Sequence, residues 1–173
     1  SFTNYGGVRA DLKAGPISRE DVFKVLPFGN QIVRFKASGE FLKQIIERKV
    51  RGNGGGMAIS GDEIEYNNTR PDGDKITSFT INGEPLQADK TYLVATTDYL
   101  MEGNSGLAML LDVPRESVAY TGVLLREAVI EFVKEHSPLN IEIEGRWDKN
   151  EDARPDPAWR KQFRQENQAV LEE

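Results

Sequence analysis

The sequence predicts an α+β domain. Strand-like and helix-like segments alternate along the chain, without the regular strand–helix–strand repeat of a doubly wound sheet. Several neighbouring strands are joined by turns of only a few residues, which is typical of antiparallel pairs. The chain has 173 residues, of which 38% are hydrophobic and 16 are glycine, and this is enough for one domain with its own core.

The first fifty residues predict a strand end, a short helix, a strand and a longer helix. Residues 1–9 run into a glycine turn, and Gly15-Pro16 marks a second turn. Ser18 and Asp21 have the spacing of a capping box, which predicts a helix that begins there. Pro27 ends that helix, because proline lacks the N–H and clashes with the preceding turn. Residues 32–36 then alternate as a strand, and residues 41–47 carry apolar side chains at helical spacing.

The middle of the chain is rich in strands. Gly52 to Gly56 is expected to be a flexible loop, and short strands follow at residues 57–60 and 63–67. Residues 75–81 alternate as a strand, and Asn82-Gly83 is a strong hairpin signal. Residues 92–96 are apolar enough to predict a central strand.

The last third predicts a glycine loop, the longest helix and a closing strand. The loop lies at residues 103–106, after a possible helical turn. The helix is expected to begin near Thr121, with an apolar stripe formed by Val123, Leu124, Ala128, Val129, Phe132 and Val133. Ile141, Ile143 and Gly145 are expected to form the closing strand.

The composition changes after Trp147, so we divide the chain into a domain at residues 1–148 and a charged linker with a C-terminal helix at residues 149–173. Asp156-Pro157 resembles an N-cap followed by proline at the first helical position. Trp159 and Phe163 lie four residues apart, on one face of that helix. The helix is expected to pack either on its own domain or on a partner.

Composition excludes several classes of function. The net charge is −6, with 28 acidic and 22 basic residues, so a nucleic-acid partner is disfavoured. There is no cysteine, which excludes disulfides and thiolate metal sites. No apolar run approaches the ~20 residues needed for a membrane span. His136 is the only histidine and is expected at a solvated helix end, and the acidic cluster Asp62, Glu63 and Glu65 is expected on a solvated face.

Two segments have the chemistry of a ligand site. In Asn4 to Arg9, adjacent glycines allow a ligand close to the backbone, and the Arg9 guanidinium can hold a phosphate at two points. In Val25 to Asn30, Pro27 and Gly29 hold Phe28 on a turn, where its ring can stack on a planar base. Taken singly, a tight turn with a surface arginine and a core aromatic ring remain the simpler interpretations.

Together these segments resemble the C-terminal domain of the 5'-nucleotidase family. Asn4 to Arg9 is similar to its Asn-x-Gly-Gly-Ile-Arg motif, and Val25 to Asn30 to its Leu-Pro-Phe-Gly-Asn segment. Five further segments follow in the family's order: Gly55-Gly56-Met57 with Ser60-Gly61, Gly73 to Ile76, Asn82 to Leu86, Asp89 to Thr96, and Glu144-Gly145-Arg146. The resemblance covers residues 1 to 148.

The resemblance implies a layered α/β/β/α domain that binds a nucleotide or nucleoside. It places Asn4, Gly7 and Arg9 on the ribose and phosphate side, Phe28 against the base, and Asn30 in contact with the base. It also implies that this chain holds no cofactor and no catalytic residue. A divalent metal pair is expected only on a separate N-terminal metallophosphoesterase domain or companion chain. A periplasmic or extracellular location is implied by the same resemblance.

The chain departs from the family in two places. A Gly-Gly-Asp-Gly-Phe/Tyr loop, which in many members supplies a second stacking ring, corresponds to Gly103-Asn104-Ser105-Gly106-Leu107. Leu107 is therefore expected to cover the base by apolar contact alone. The family's initial helix and strand, with a further substrate arginine, are expected to be missing or supplied by another chain. A stand-alone binding or protein-interaction module that has lost nucleotide use remains the alternative.

Overall fold

A computed structural model describes residues 1–50, 56–142 and 144–149. Its helices are Arg19–Val25 (α1), Gly39–Val50 (α2), Asp98–Met101 (α3) and Leu125–His136 (α4). Its strands are Phe2–Asn4 (β1), Gln31–Ser38 (β2), Met57–Ile59 (β3), Asp62–Tyr66 (β4), Ile76–Ile81 (β5), Glu84–Pro85 (β6), Thr91–Thr97 (β7), Ala119–Leu124 (β8) and Trp147–Lys149 (β9). No helix of the described residues is long and apolar enough to cross a membrane.

The strands form three sheets, with the orders β1-β3, β7-β2-β8 and β6-β5-β4-β9. Neighbours are antiparallel, except that β9 runs parallel to β4. The largely antiparallel sheets and interspersed helices confirm the α+β class.

The core lies around α2, which contacts both larger sheets through β2 and β5. On β2 the alternating residues Val33, Phe35 and Ala37 are buried, while the residues between them are exposed. Ile45 and Ile46 of α2 are also buried. Strand periodicity on β2 and helix periodicity on α2 therefore direct apolar side chains into one core, as each pattern predicted.

Local turn chemistry is confirmed where the sequence predicted it. The Ser18 side chain accepts a hydrogen bond from the Asp21 backbone N–H, and the Asp21 carboxylate accepts one from the Ser18 N–H, so the capping box of α1 is complete. Helix α1 ends at Val25, two residues before Pro27. Asn82 and Gly83 have φ of 52° and 80°, the left-handed conformation that a tight hairpin between β5 and β6 requires.

One strand formed as predicted but not in its expected place, and one predicted strand did not form in the residues that the structure describes. The strand predicted at residues 92–96 is at the edge of its sheet, because β2 lies between β7 and β8. The closing strand expected at residues 141–145 does not form in its described part, where Ile141 is 77% exposed. Strand β9 forms later instead and pairs with β4.

The long helix begins four residues later than expected, at Leu125. Residues 119–124 form β8 instead, because they pair with the central strand β2. The predicted stripe is wrong in part: Val123 is 44% and Phe132 is 51% exposed, and Ile130 is the buried residue of α4. The other four stripe residues are partly buried. The predictions for residues 52–55, Ile143 and the helix after residue 149 lie outside the described residues, whereas Gly56 is described next to β3.

Candidate functional site

The structure brings the two glycine- and proline-containing segments together. The backbone N–H of Arg9 donates to the Val25 carbonyl oxygen over 2.8 Å, which joins the end of the first segment to the start of the second. A small cleft lies beside this contact, lined by Thr3, Asn4, Gly7, Val8, Leu26, Phe28, Asn30 and Leu125. Four of the six residues singled out from the sequence thus line one cleft, and Arg9 lies next to it.

Asn4 occupies the floor of the cleft at the end of β1 and is 7% exposed. Its side-chain oxygen Oδ1 is buried and has no hydrogen-bond partner in the described part of the chain. Gly6 leaves room for this amide, since a Cβ there would lie only 3.3 Å from Asn4 Nδ2, whereas a Cβ at Gly7 would make an ordinary contact of 3.6 Å with Oδ1. Asn4 therefore lines the cleft with an amide whose oxygen atom is an unused acceptor among the described residues.

Arg9 is exposed, and its guanidinium makes one long hydrogen bond, from Nη1 to the Gly6 carbonyl oxygen at 3.4 Å. It forms no ion pair with any residue that the structure describes. Most of its donors are thus available for an anion, and the planar guanidinium suits two oxygens of a phosphate.

Phe28 is 46% exposed on a turn whose backbone is held from two sides. Arg126 Nη1 donates to the carbonyl oxygens of Pro27 at 3.2 Å and of Phe28 at 3.1 Å. The Leu125 N–H donates to the Asn30 carbonyl oxygen at 2.9 Å. On the other side, the Gln31 N–H donates to Asp98 Oδ1 at 3.0 Å. The ring is therefore presented at the surface by a fixed backbone.

The sequence pattern of the family described as "5'-nucleotidase, C-terminal domain" matches residues 1–112, which include both segments of the cleft. The chain belongs to this family. As a 5'-nucleotidase C-terminal domain it resembles the Yersinia enterocolitica protein UshA, with 32% identity over 141 residues. It also resembles the Haemophilus influenzae NAD 5'-nucleotidase, with 30% identity over 152 residues. These alignments cover 78% and 79% of the chain, but 24% and 25% of the relatives, so the chain spans about a quarter of their length.

Solved structures of nucleotidases share the fold of this domain. The Haemophilus influenzae NAD nucleotidase superimposes with a TM-score of 0.80, and the 5'-nucleotidase precursor of Thermus thermophilus with a TM-score of 0.76. Both are 26% identical to the chain, and each superposition covers 88% of it and 30% or 31% of the larger protein. The family and the α+β fold expected from the sequence are both confirmed.

The expectation for Leu107 needs correction. Its side chain has 0% exposure and belongs to the core together with Leu100 and Leu110, so it has no surface to offer a base. The loop before it is held by cations of α2: Arg48 Nε donates to the Gly106 carbonyl oxygen at 3.1 Å, and Lys49 Nζ donates to that of Ser105 at 2.7 Å. Burial of an aliphatic side chain in the core removes apolar area from water and stabilises the fold, which explains the position of Leu107.

Sequence reasoning missed two residues that hold the backbone around Phe28, namely Asp98 and Arg126. Asp98 follows directly after strand β7, whose last residue lies opposite Ile32 at the start of β2. A predicted pairing of these two strands would have placed Asp98 next to the Phe28 turn. Arg126 had a weaker signal, namely a cation in the first turn of a helix, where the helix dipole disfavours positive charge.

Acidic side chains and the histidine do not form a metal centre in the described part of the chain, which has no group of three His, Cys, Asp or Glu side chains able to hold an ion. Glu63 and Glu65 are exposed as expected, but Asp62 is partly buried, and this burial raises the pKa of its carboxyl group. His136 is the exposed last residue of α4, and its ring stacks on Phe132.

Proposed function

We propose that this chain is the substrate-recognition domain of a nucleotidase-type phosphoesterase and that it binds a nucleoside 5'-phosphate at the cleft. The two solved structures that share the fold are nucleotidases by name, and the two sequence relatives are each about four times longer than the matched segment. The hydrolytic chemistry and its divalent metal pair would lie on a separate N-terminal domain or companion chain. A periplasmic or extracellular location is part of the same proposal.

The observation that carries this proposal is the proximity of an unpaired cation, an exposed ring and a buried acceptor. Arg9 and the segment that carries Phe28 are joined by one backbone hydrogen bond, and Asn4, whose buried Oδ1 atom has no partner in the described residues, lines the cleft beside them. In this arrangement Arg9 binds the phosphate, Phe28 stacks on the base, and Asn30 contacts its edge. Asn4 and Gly7 then face the ribose.

The size of the cleft suggests how a nucleotide would lie. Its cavity volume is about 10 Å³, which is room for about one water molecule. A nucleotide would therefore lie across the mouth of the cleft, with one side open to a second domain. Holding the substrate in this way lets the domain orient a phosphate for chemistry that takes place on its partner.

Titration calorimetry on the 173-residue chain with AMP, adenosine and ribose 5-phosphate tests the proposal. Arg9→Ala is expected to weaken the binding of AMP and of ribose 5-phosphate by roughly 10-fold to 150-fold, because a charged hydrogen bond contributes roughly 1.5–3 kcal/mol. Adenosine, which has no phosphate, should be unaffected. Arg115→Ala removes another exposed arginine, outside the cleft, and is the matched control.

Two outcomes would contradict the proposal. If Arg9→Ala weakened the binding of adenosine as much as that of AMP, Arg9 would not be the residue that binds the phosphate. Hydrolysis of AMP by the purified chain, with contaminants excluded, would show that the chemistry is not on a separate domain.

The second candidate is an interaction module that has lost nucleotide use. It is favoured by the burial of Leu107, which leaves the base without the cover expected there, and by exposed apolar side chains on β8 and α4, namely Tyr120, Val123 and Phe132. An intact fold that binds none of the three ligands would support this candidate over the first.

A further inference from the structure

We infer that Arg126, in the first turn of α4, is a positioning residue that fixes the Phe28 turn for base recognition. The inference rests on the proposed function, because it assigns a role in presenting the Phe28 ring. Arg126 lies outside the segment that matches the family pattern, which ends at residue 112. Its role is therefore read from the contacts of this chain alone.

One nitrogen of Arg126 holds two successive carbonyl groups of the turn. Nη1 lies 3.2 Å from the Pro27 oxygen and 3.1 Å from the Phe28 oxygen. The next contact comes from the neighbouring residue on α4, because the Leu125 N–H donates to the Asn30 oxygen at 2.9 Å. The first turn of α4 thus holds three of the four carbonyl groups between Pro27 and Asn30.

The guanidinium is itself held in place. It lies over the ring of Phe23 on α1, with the Arg126 Cζ atom 4.5 Å from the ring centroid. Helices α1 and α4 are tied together by Arg19, whose Nη2 donates to both carboxylate oxygens of Glu127 at 2.8 and 3.1 Å. Arg126 is therefore fixed between an aromatic ring and the turn, and its planar group suits both contacts.

The position of Arg126 is unfavourable for the helix itself. A positive charge in the first turn of a helix opposes the helix dipole. Its Nε atom is also buried without a hydrogen-bond partner in the described residues. Contacts to the turn carbonyls and the Phe23 ring offset these costs, so the residue acts through the turn rather than by stabilising α4.

The hydrogen bonds from Arg126 to the turn explain how the Phe28 ring stays available to a base. With the Pro27 and Phe28 carbonyl groups held against α4, the Phe28 side chain remains 46% exposed. A turn that is already ordered before binding loses no further conformational freedom when a base stacks on its ring. Arg126 should therefore affect only the part of the affinity that depends on the base.

The test compares AMP with ribose 5-phosphate, which lacks the base, in titration calorimetry on the whole 173-residue chain. Arg126→Ala is expected to weaken the binding of AMP about fivefold to tenfold, which is a fraction of the full stacking effect. The affinity for ribose 5-phosphate should not change. In a Phe28→Ala background the same substitution should have no further effect on AMP. Arg126→Lys, which keeps the charge but not the planar group, should restore the affinity only in part. Lys134→Ala removes an exposed cation elsewhere on α4, paired with Glu131, and is the control.

Amide hydrogen exchange gives a readout that does not need a ligand. In Arg126→Ala the Leu125 and Gln31 amides, which tie the turn to its neighbours, should exchange faster. Amides of the β2–β7 ladder, such as those of Phe35 and Val94, should keep their protection. Unchanged exchange at Leu125 and Gln31 would overturn the inference, as would equal weakening of both ligands or additive effects with Phe28→Ala. If the unmodified chain binds neither ligand, the proposed function fails, and exchange alone decides the role of Arg126.

Discussion

Truncation of Phe28 is the most direct test of base recognition, and its size follows from the structure. The ring is 46% exposed. A phenylalanine can bury roughly 200 Å², so about 90 Å² remains for a base to cover. At about 25 cal/mol per Å², this contact contributes at most about 2 kcal/mol. The value agrees with the ~1–3 kcal/mol found for stacking of one base on an aromatic residue. Phe28→Ala should therefore weaken the binding of AMP by up to about 30-fold.

Titration calorimetry with AMP and ribose 5-phosphate measures this effect. Phe28→Leu keeps much of the apolar area but loses the aromatic face, so its AMP affinity should lie between those of the unmodified chain and Phe28→Ala. Phe132→Ala is the matched control, because Phe132 is a 51% exposed ring on α4 outside the cleft. Equal losses for both ligands, or an AMP affinity that does not change in Phe28→Ala, would refute the stacking role.

Two further predictions concern the buried charged side chains of α2. Glu47 is buried, and its carboxylate oxygens accept from the backbone N–H groups of Lys75 at 3.2 Å and Ile76 at 2.9 Å. Glu47→Met leaves both donors unpaired and should lower the free energy of unfolding by roughly 2–5 kcal/mol, with Glu47→Gln at about half that loss; equal urea midpoints for the two variants would contradict this account. Burial lowers the pKa of Lys49, and the neighbouring Arg48 charge acts in the same direction. Between that lowered pKa and the ordinary 10.5 the unfolded chain binds more protons than the folded one, so stability contributed through Lys49 rises with pH in this window. Lys49→Met should flatten the rise in urea unfolding experiments, and an unchanged slope would exclude this cause.

Features set by near neighbours in the chain could be predicted well. The capping box at Ser18 and Asp21 and the hairpin at Asn82 and Gly83 depend on residues that contact each other within four positions. The turn around Phe28 is similar, because Pro27 and Gly29 lie on either side of the ring. Short-range chemistry of this kind is encoded directly in sequence spacing.

Features set by distant partners could not be predicted in the same way. Residues 119–124 have apolar spacing that a helix also accepts, and they became a strand because they pair with β2, almost ninety positions away. Leu107 follows a glycine loop in the sequence, but in the folded structure its side chain lies in the hydrophobic core. The Arg126 contact to the Phe28 turn joins residues 98 positions apart.

The sequence by itself determined the family, the α+β class and the two segments that carry Asn4, Arg9 and Phe28, because each depends on local residue order. Only the tertiary structure decided that these segments meet at one cleft, that Leu107 is buried, and that Arg126 and Asp98 bond to the backbone around Phe28. The physical reason is that burial and hydrogen-bond pairing depend on which distant elements share a core, and no local spacing specifies that choice.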